Sequence, residues 1–222
     1  MGKKIDKLKE KDIGAIGIGA MIVFIAMVLV AGIAASVLIQ TSGKLETQAM
    51  KTGSETIQEV ATGVQVDGVL GWVTSSAVRL VAIEIRPRAG STDVDLSETV
   101  IELSDSTSKN LFTYNLTAYT DTDDINGNIF TQGFYPWRNA SRFGVIVLED
   151  ADDSISSATN PVINTGDHVL ITLDVGAAFG TAYSGIATRK NIFGQIIPEE
   201  GSPGVISFTT PAAYNDVVVE LQ

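Results

Sequence analysis

The sequence predicts an α+β protein: a long hydrophobic N-terminal α-helix followed by an antiparallel β-sandwich. Three observations carry this. Residues 13–43 hold no charged side chain, and the strongly apolar part, Ala15–Ile39, is 25 residues long. Beyond it, apolar residues recur at spacings of three and four. After Gly63 the period changes to two, in short runs separated by turn residues. The chain therefore divides into a charged head, 1–14, a helix, 15–62, and a surface domain, 63–222.

Residues 1–14 carry Lys3, Lys4, Lys7, Lys9 and Lys11 against Asp6, Glu10 and Asp12, a net +2 within the chain's −11, so the rest carries −13. The apolar run behind this head is longer than the 7–15 residues of a secretory signal. A bilayer core needs about 20 apolar residues as helix, so the segment can span one. The lysines hold the N-terminus on the cytoplasmic side, which sends the bulk of the chain outward.

The helix continues past Ile39. Leu45, Ala49, Gly53, Ile57, Val60 and Val64 form a stripe, with Lys44, Glu46, Gln48, Lys51, Glu55 and Gln58 between them. The expected result is one helix of roughly 45 residues, about 70 Å long at 1.5 Å per residue. Gly53 marks a kink or a close helix contact. Ala31/Ala35 and Gly32/Ser36 are small pairs four apart, which let helix backbones approach.

In the surface domain Arg79, Val81, Ile83 and Ile85 share one strand face. Phe112, Tyr114, Leu116 and Ala118 share another, with Thr113, Asn115 and Thr117 opposite. Phe143–Leu148 is a continuous apolar run suited to a central strand. Val169, Ile171, Leu173 and Val175 alternate with Leu170, Thr172 and Asp174. Residues 192–197, 205–210 and 217–221 complete the set. Turn signals lie at Asn126-Gly127, Asn160-Pro161 and Gly201-Ser202-Pro203-Gly204, and the Ser/Thr-rich stretches 104–108 and 154–159 read as loops. Many short strands so bounded suggest an immunoglobulin-like sandwich.

Composition excludes much chemistry. With no cysteine there is no disulfide, thiolate metal site or thiol nucleophile. A body this acidic repels phosphate, so no nucleic-acid partner is expected. His168, the single histidine, sits beside Asp167 at a strand start and reads as a turn residue; no G-x-S-x-G elbow or phosphate-binding loop is present. No enzyme is expected, and no cofactor beyond two options. Asp121, Asp123, Asp124, Asn126 and Asn128 crowd one loop, and Glu149, Asp150, Asp152 and Asp153 another; oxygen-rich loops of this kind can hold Ca²⁺, although the first departs from EF-hand spacing and a solvated loop accounts for it as well. Asn115-Leu-Thr and Asn139-Ala-Ser are N-glycosylation sequons, so an N-linked glycan is expected after export.

The run from Gly14 through Gly17, Gly19 and Phe24 to Ala31 closely resembles the N-terminus of archaeal flagellins, or archaellins. Residues 203–211, PGVISFTTP, resemble their C-terminal region. The resemblance covers the whole chain. It implies a type IV pilin-like subunit whose leader is removed between Gly14 and Ala15 by a membrane-bound prepilin-peptidase-like protease. It implies assembly with the helices inward, so that Gly17, Gly19, Phe24, Ala31, Gly32, Ala35 and Ser36 pack against copies of the chain. It further implies an extracellular filament turned by an ATPase and a membrane platform protein, and a membrane-inserted precursor. The fifth residue after the cut is Gly19, where bacterial-type pilins usually place glutamate, so register would come from apolar packing. An adhesive pilus subunit and a membrane-anchored ligand-binding ectodomain are the competing readings.

Overall fold

The structure, a computed structural model, describes residues 2–121, 125, 127–131, 140–155, 157–179 and 185–222. It contains two compact units, Met1–Glu55 and Thr56–Gln222.

The described residues of the first unit all belong to helix α1, Gly2–Ala61. The helix is longer than the sequence predicts because residues 2–13 join it without a break. Gly53 produces no interruption either. Apart from Ala61 at its end, the apolar residues described on α1 are exposed, Phe24, Met27, Leu38, Leu45 and Ile57 among them. The helix meets its own polar needs. Thr41 Oγ1 donates to the Leu38 carbonyl at 3.0 Å and Thr47 Oγ1 to the Gly43 carbonyl at 2.9 Å, the back-bonding that lets hydroxyls sit on a helix without outside partners. Gln40 Nε2 donates to Ser36 Oγ at 3.4 Å.

The second unit is built on strands β1 (Val64–Thr74), β2 (Ala77–Pro87), β3 (Val94–Asp95), β4 (Val100–Ser104), β5 (Lys109–Asp121), β6 (Arg142–Glu149), β7 (Val162–Ile163) and β8 (His168–Asp174). A single helical turn, α2 (Val175–Ala178), precedes β9 (Asn191–Ile197), β10 (Gly204–Thr209) and β11 (Val218–Glu220). Nine strands form one sheet in the order β10-β9-β4-β5-β6-β8-β2-β1-β11, and β3 pairs β7 separately. Among the described residues every pair in the large sheet is antiparallel except β5–β6. A parallel pair needs a long crossover, and 20 residues separate the end of β5 from the start of β6.

The sheet curls until its ends meet. Gly63 bridges Ser202 in parallel. Gln222 spans the remaining seam: its carbonyl accepts from Val69 N at 3.0 Å and its Oε1 from Ser207 N at 2.8 Å. The inner face then forms one core containing Ile83, Ile85, Ile101, Phe112, Phe143, Ile171, Ile192 and Phe208. The helix-then-β organisation follows the sequence reading, with the layers made by one continuous sheet folding over. On the outer face, Ile125, Ile129 and Phe130 cover Leu80, Ala82, Ile146 and Leu170, and Phe130 stacks on Trp72 with ring centroids 5.5 Å apart. That cover explains why Ile146 of β6 and Leu170 of β8 are buried on the outer face as well, while Asp174 is buried as the cap of α2, its Oδ1 accepting from Ala177 N at 2.9 Å.

Three placements differ from the sequence expectation. Leu116 is exposed, not part of the core face of β5. The ladder with β6 slips between Tyr114 and Tyr119, and the Asn115 side-chain Oδ1 accepts from Thr117 N and Oγ1, so strict alternation fails there. Arg79 turns outward and pairs with Asp174 at 3.8 Å. Val64 is not on the helix stripe; it begins β1 and is fully buried.

Candidate functional site

Consider first the helix surface. At about 100° per residue, Gly17, Phe24, Ala31 and Ala35 fall within one narrow stripe, and Gly32 and Ser36 lie beside it. Gly19 falls on the opposite side. Of the residues expected to pack, α1 therefore brings six to one flank. The small members leave room for another backbone to approach, and Phe24 projects from the same stripe. All seven are exposed. Eighteen-residue windows within Ile16–Ala61 reach a mean hydropathy of 3.0, which is lipid-like. Gly14 and Ala15 are successive residues inside the helix; the side chain of Ala15 lies outside the described ones.

The second feature is the end of α1, and the sequence reading missed it. Thr62 is buried and Gly63 is gripped from two turns. Ser202 N donates to the Thr62 carbonyl at 2.8 Å, and Val64 N donates to the Ser202 carbonyl at 3.3 Å. From the β2–β3 connection, Ser91 Oγ accepts from Gly63 N at 3.2 Å, and Arg88 N donates to the Gly63 carbonyl at 2.9 Å. The Thr62 and Thr92 hydroxyls are 2.7 Å apart. A Cβ on Gly63 would lie 2.6 Å from the Ser202 carbonyl oxygen, and one on Gly201, where φ is +97°, would collide with the Thr62 carbonyl. The only sequence signal was Gly201-Ser202-Pro203, which reads as an ordinary turn.

Of the sequons, Asn115 is half-buried on β5 and its Oδ1 accepts from the Thr117 hydroxyl at 3.0 Å. Asn139 lies outside the described residues. Of the first acidic loop, Asp123, Asp124 and Asn126 also lie outside them. Asp121 ends β5, and Asn128 Oδ1 accepts from Phe130 N at 3.0 Å, serving a local turn.

The second acidic loop gains a member that the sequence did not assign to it. Asp150, Asp152 and Asp167 place carboxylate oxygens within 4.8 Å of one another. Asp167 is buried; its Oδ1 accepts from Ala151 N at 3.1 Å and its Oδ2 from Asn164 N at 2.8 Å. Asp150 Oδ2 accepts from Ile155 N at 2.9 Å. The Asn164 side-chain amide, 2.9 Å from Asp152 Oδ2, is the main reason that carboxyl stays below its ordinary range. These bonds build the loop between β6 and β8, and the same oxygens are of the hard type that Ca²⁺ takes. Glu149 and Asp153 are not in the group. Nearby, Tyr114 and Tyr119 tie the loop to β5 by donating to the carbonyls of Ala158 and Ile155 at 2.9 and 2.6 Å. Burial pushes the Tyr114 hydroxyl up to about 12.

A sequence model described as archaeal-type flagellin matches residues 14–208. The chain belongs to the archaeal-type flagellins. Flagellin B2 of Methanocaldococcus jannaschii is 44% identical over 223 residues, covering 99% of this chain and all of that one. Flagellin B1 of Methanococcus voltae is 41% identical over 211 residues, 94% of this chain and 95% of that one. Among solved structures, archaeal flagellin FlaB1 of Methanocaldococcus jannaschii matches with a TM-score of 0.62 and 33% identity, over 73% of this chain and 98% of that one. The archaeal flagellum of Methanospirillum hungatei matches at 0.62 and 16% identity, over 91% and 98%, and bears on the fold alone. This flagellin is thus a structural subunit of an archaeal flagellum. The bare helix is the feature its family membership makes intelligible.

Proposed function

We propose that the flagellin is made as a membrane-inserted precursor and polymerises through α1 once its leader is removed. The observation that carries this is the exposed apolar surface of α1 from Ile16 to Ile39: a lipid-like segment needs either lipid or other copies of itself. Burial contributes about 25 cal/mol per Å² of apolar surface, and identical helices offer the matching shape. The flank carrying Gly17, Phe24, Ala31, Gly32, Ala35 and Ser36 makes the closest contacts in this reading, with Gly19 facing a different neighbour.

The cut falls between Gly14 and Ala15. A prepilin-peptidase-like membrane protease makes it, and the +2 leader that held the N-terminus at the cytoplasmic face is lost. A membrane platform protein and an ATPase then drive extrusion and rotation. The product is an extracellular filament that transmits torque and catalyses nothing. Asn115 and Asn139 carry N-linked glycans. Ca²⁺ at Asp121, Asp123, Asp124, Asn126 and Asn128 remains part of the proposal.

N-terminal sequencing of the exported protein tests the central step. A start at Ala15 is expected; a start at Met1 or Gly2 on a dispersed, detergent-soluble chain overturns it and supports an anchored ectodomain. Intact mass before and after Asn115→Gln tests the glycan, with loss of one glycan mass expected. Calorimetry with millimolar Ca²⁺ tests the ion, and no heat removes it.

A further inference from the structure

We propose that Asp67, Glu84 and His168 form a site for a borderline divalent cation of the Zn²⁺ class on the outer face of the sheet. Their ligand atoms lie within 4.8 Å of one another and come from three neighbouring strands, β1, β2 and β8. The proposal stands apart from polymerisation and involves none of the residues assigned to it.

Irregular pairing assembles the group. Along β1 the ladder with β2 runs Val66↔Ile85 and then Gly68↔Glu84, so Asp67 is an extra residue in a bulge. Bulges re-aim side chains, and Asp67, at an exposed position, has its carboxylate partly covered. Gly68, opposite Glu84, leaves that cross-strand position open; a Cβ there would sit 3.8 Å from Glu84 Oε2. Glu84 also pairs with Leu170 of β8. His168, two residues before Leu170, shares its face and reaches Glu84 diagonally. A second slip, between Val147 and Glu149, brings Glu149 opposite His168.

The spacing suits a shared ion better than a direct bond. His168 Nδ1 is 3.7 Å from Glu84 Oε1, too long for a hydrogen bond. Two ligands about 2.1 Å from a tetrahedral ion stand about 3.4 Å apart. The Asp67 carboxylate is held from behind: Gln65 Nε2 donates to Oδ1 at 3.0 Å and Arg86 Nε to Oδ2 at 2.7 Å. Such outer partners orient a ligand while each oxygen keeps a free lone pair. The donor set decides the ion. One imidazole nitrogen and two carboxylates fit a four-coordinate borderline cation whose fourth position is water, whereas Ca²⁺ needs six to eight oxygens.

The test is calorimetric titration of the full-length chain in detergent micelles with Zn²⁺ alone, for wild type, H168Q and E84Q. One Zn²⁺ per chain is expected, weakened at least about 30-fold in H168Q and about 10-fold in E84Q, and undisplaced by a hundredfold excess of Ca²⁺. Equal Zn²⁺ isotherms for wild type and a folded H168Q, or displacement by Ca²⁺, overturn the proposal. If H168Q fails to fold, nitrogen NMR of the single histidine decides on wild type: a Zn²⁺-induced shift of Nδ1 supports the site, and an unmoved resonance overturns it.

Discussion

Phe24 and Phe112 are the same side chain with opposite fates. Phe24, on α1, is 69% exposed, while Phe112, in β5, is fully buried. The β domain completes its core within one chain, because a curled sheet brings its own inner face together. A single straight helix cannot do this: residues spread around a cylinder have no second surface to meet. The contrast separates folding from assembly. The domain is built to stand in water alone, and the helix is built to be finished by lipid or by other chains.

The sharpest way to break the contrast is a charge on the helix. Ala31→Asp puts an unpaired carboxylate into whatever buries that flank, at a cost of several kcal/mol. No filaments are expected by electron microscopy, while the thermal unfolding of the β domain stays unchanged; normal filaments would count heavily against α1 as the assembly surface. The reciprocal change, Phe112→Ala, should cost about 3–5 kcal/mol and lower the domain's melting temperature by roughly 10 °C, leaving the helical signal of α1 in place.

Gly201→Val probes the clasp on Thr62 and Gly63 within the second unit. Its side chain collides with the Thr62 carbonyl and takes up a strained φ, an effect of about 1–3 kcal/mol. Faster hydrogen exchange is expected at the Gly63, Val64 and Ser202 amides, with the β4–β5 amides unchanged. The pH dependence follows from Tyr114. Folded, it stays neutral to about pH 12; unfolded, it ionises near its ordinary value of about 10. The stabilisation is complete below about pH 10 and is lost as pH rises towards 12. Tyr119 and Tyr214, raised by burial, act in the same direction. Tyr114→Phe should flatten this alkaline loss in a melting series. Leu116→Ser, at an exposed position, should shift stability by no more than about 0.5 kcal/mol.

Much of this was legible in the residues. A strongly apolar run of 25 residues followed by period-two segments marks the helix and the change of regime without any coordinates. The strand faces of Val81, Ile83 and Ile85 and of Phe112 and Tyr114 followed from alternation, and all are buried. Leu116 failed because a bulge interrupts alternation, and nothing in a period-two pattern announces a bulge. The early strands β1 and β4 were passed over: their glycines and acids, such as Gly68, Gly71 and Glu102, blur the pattern. Asp167 was seen only as the neighbour of His168, since its partners Asp150 and Asp152 lie a loop away in the chain.

What the sequence determined by itself is everything that depends on local periodicity and composition: the lipid-like helix, its small-residue flank, the β character of the rest and the absence of thiol chemistry. Tertiary structure alone decided which distant groups meet. The parallel β5–β6 pair, the clasp of Thr62 and Gly63 by residues 88–92 and 201–202, the seam closed by Gln222 and the company of His168 all join residues far apart in the chain. Local pattern constrains a residue's face; its partner across the sheet is chosen by register and crossover, which only the assembled chain specifies.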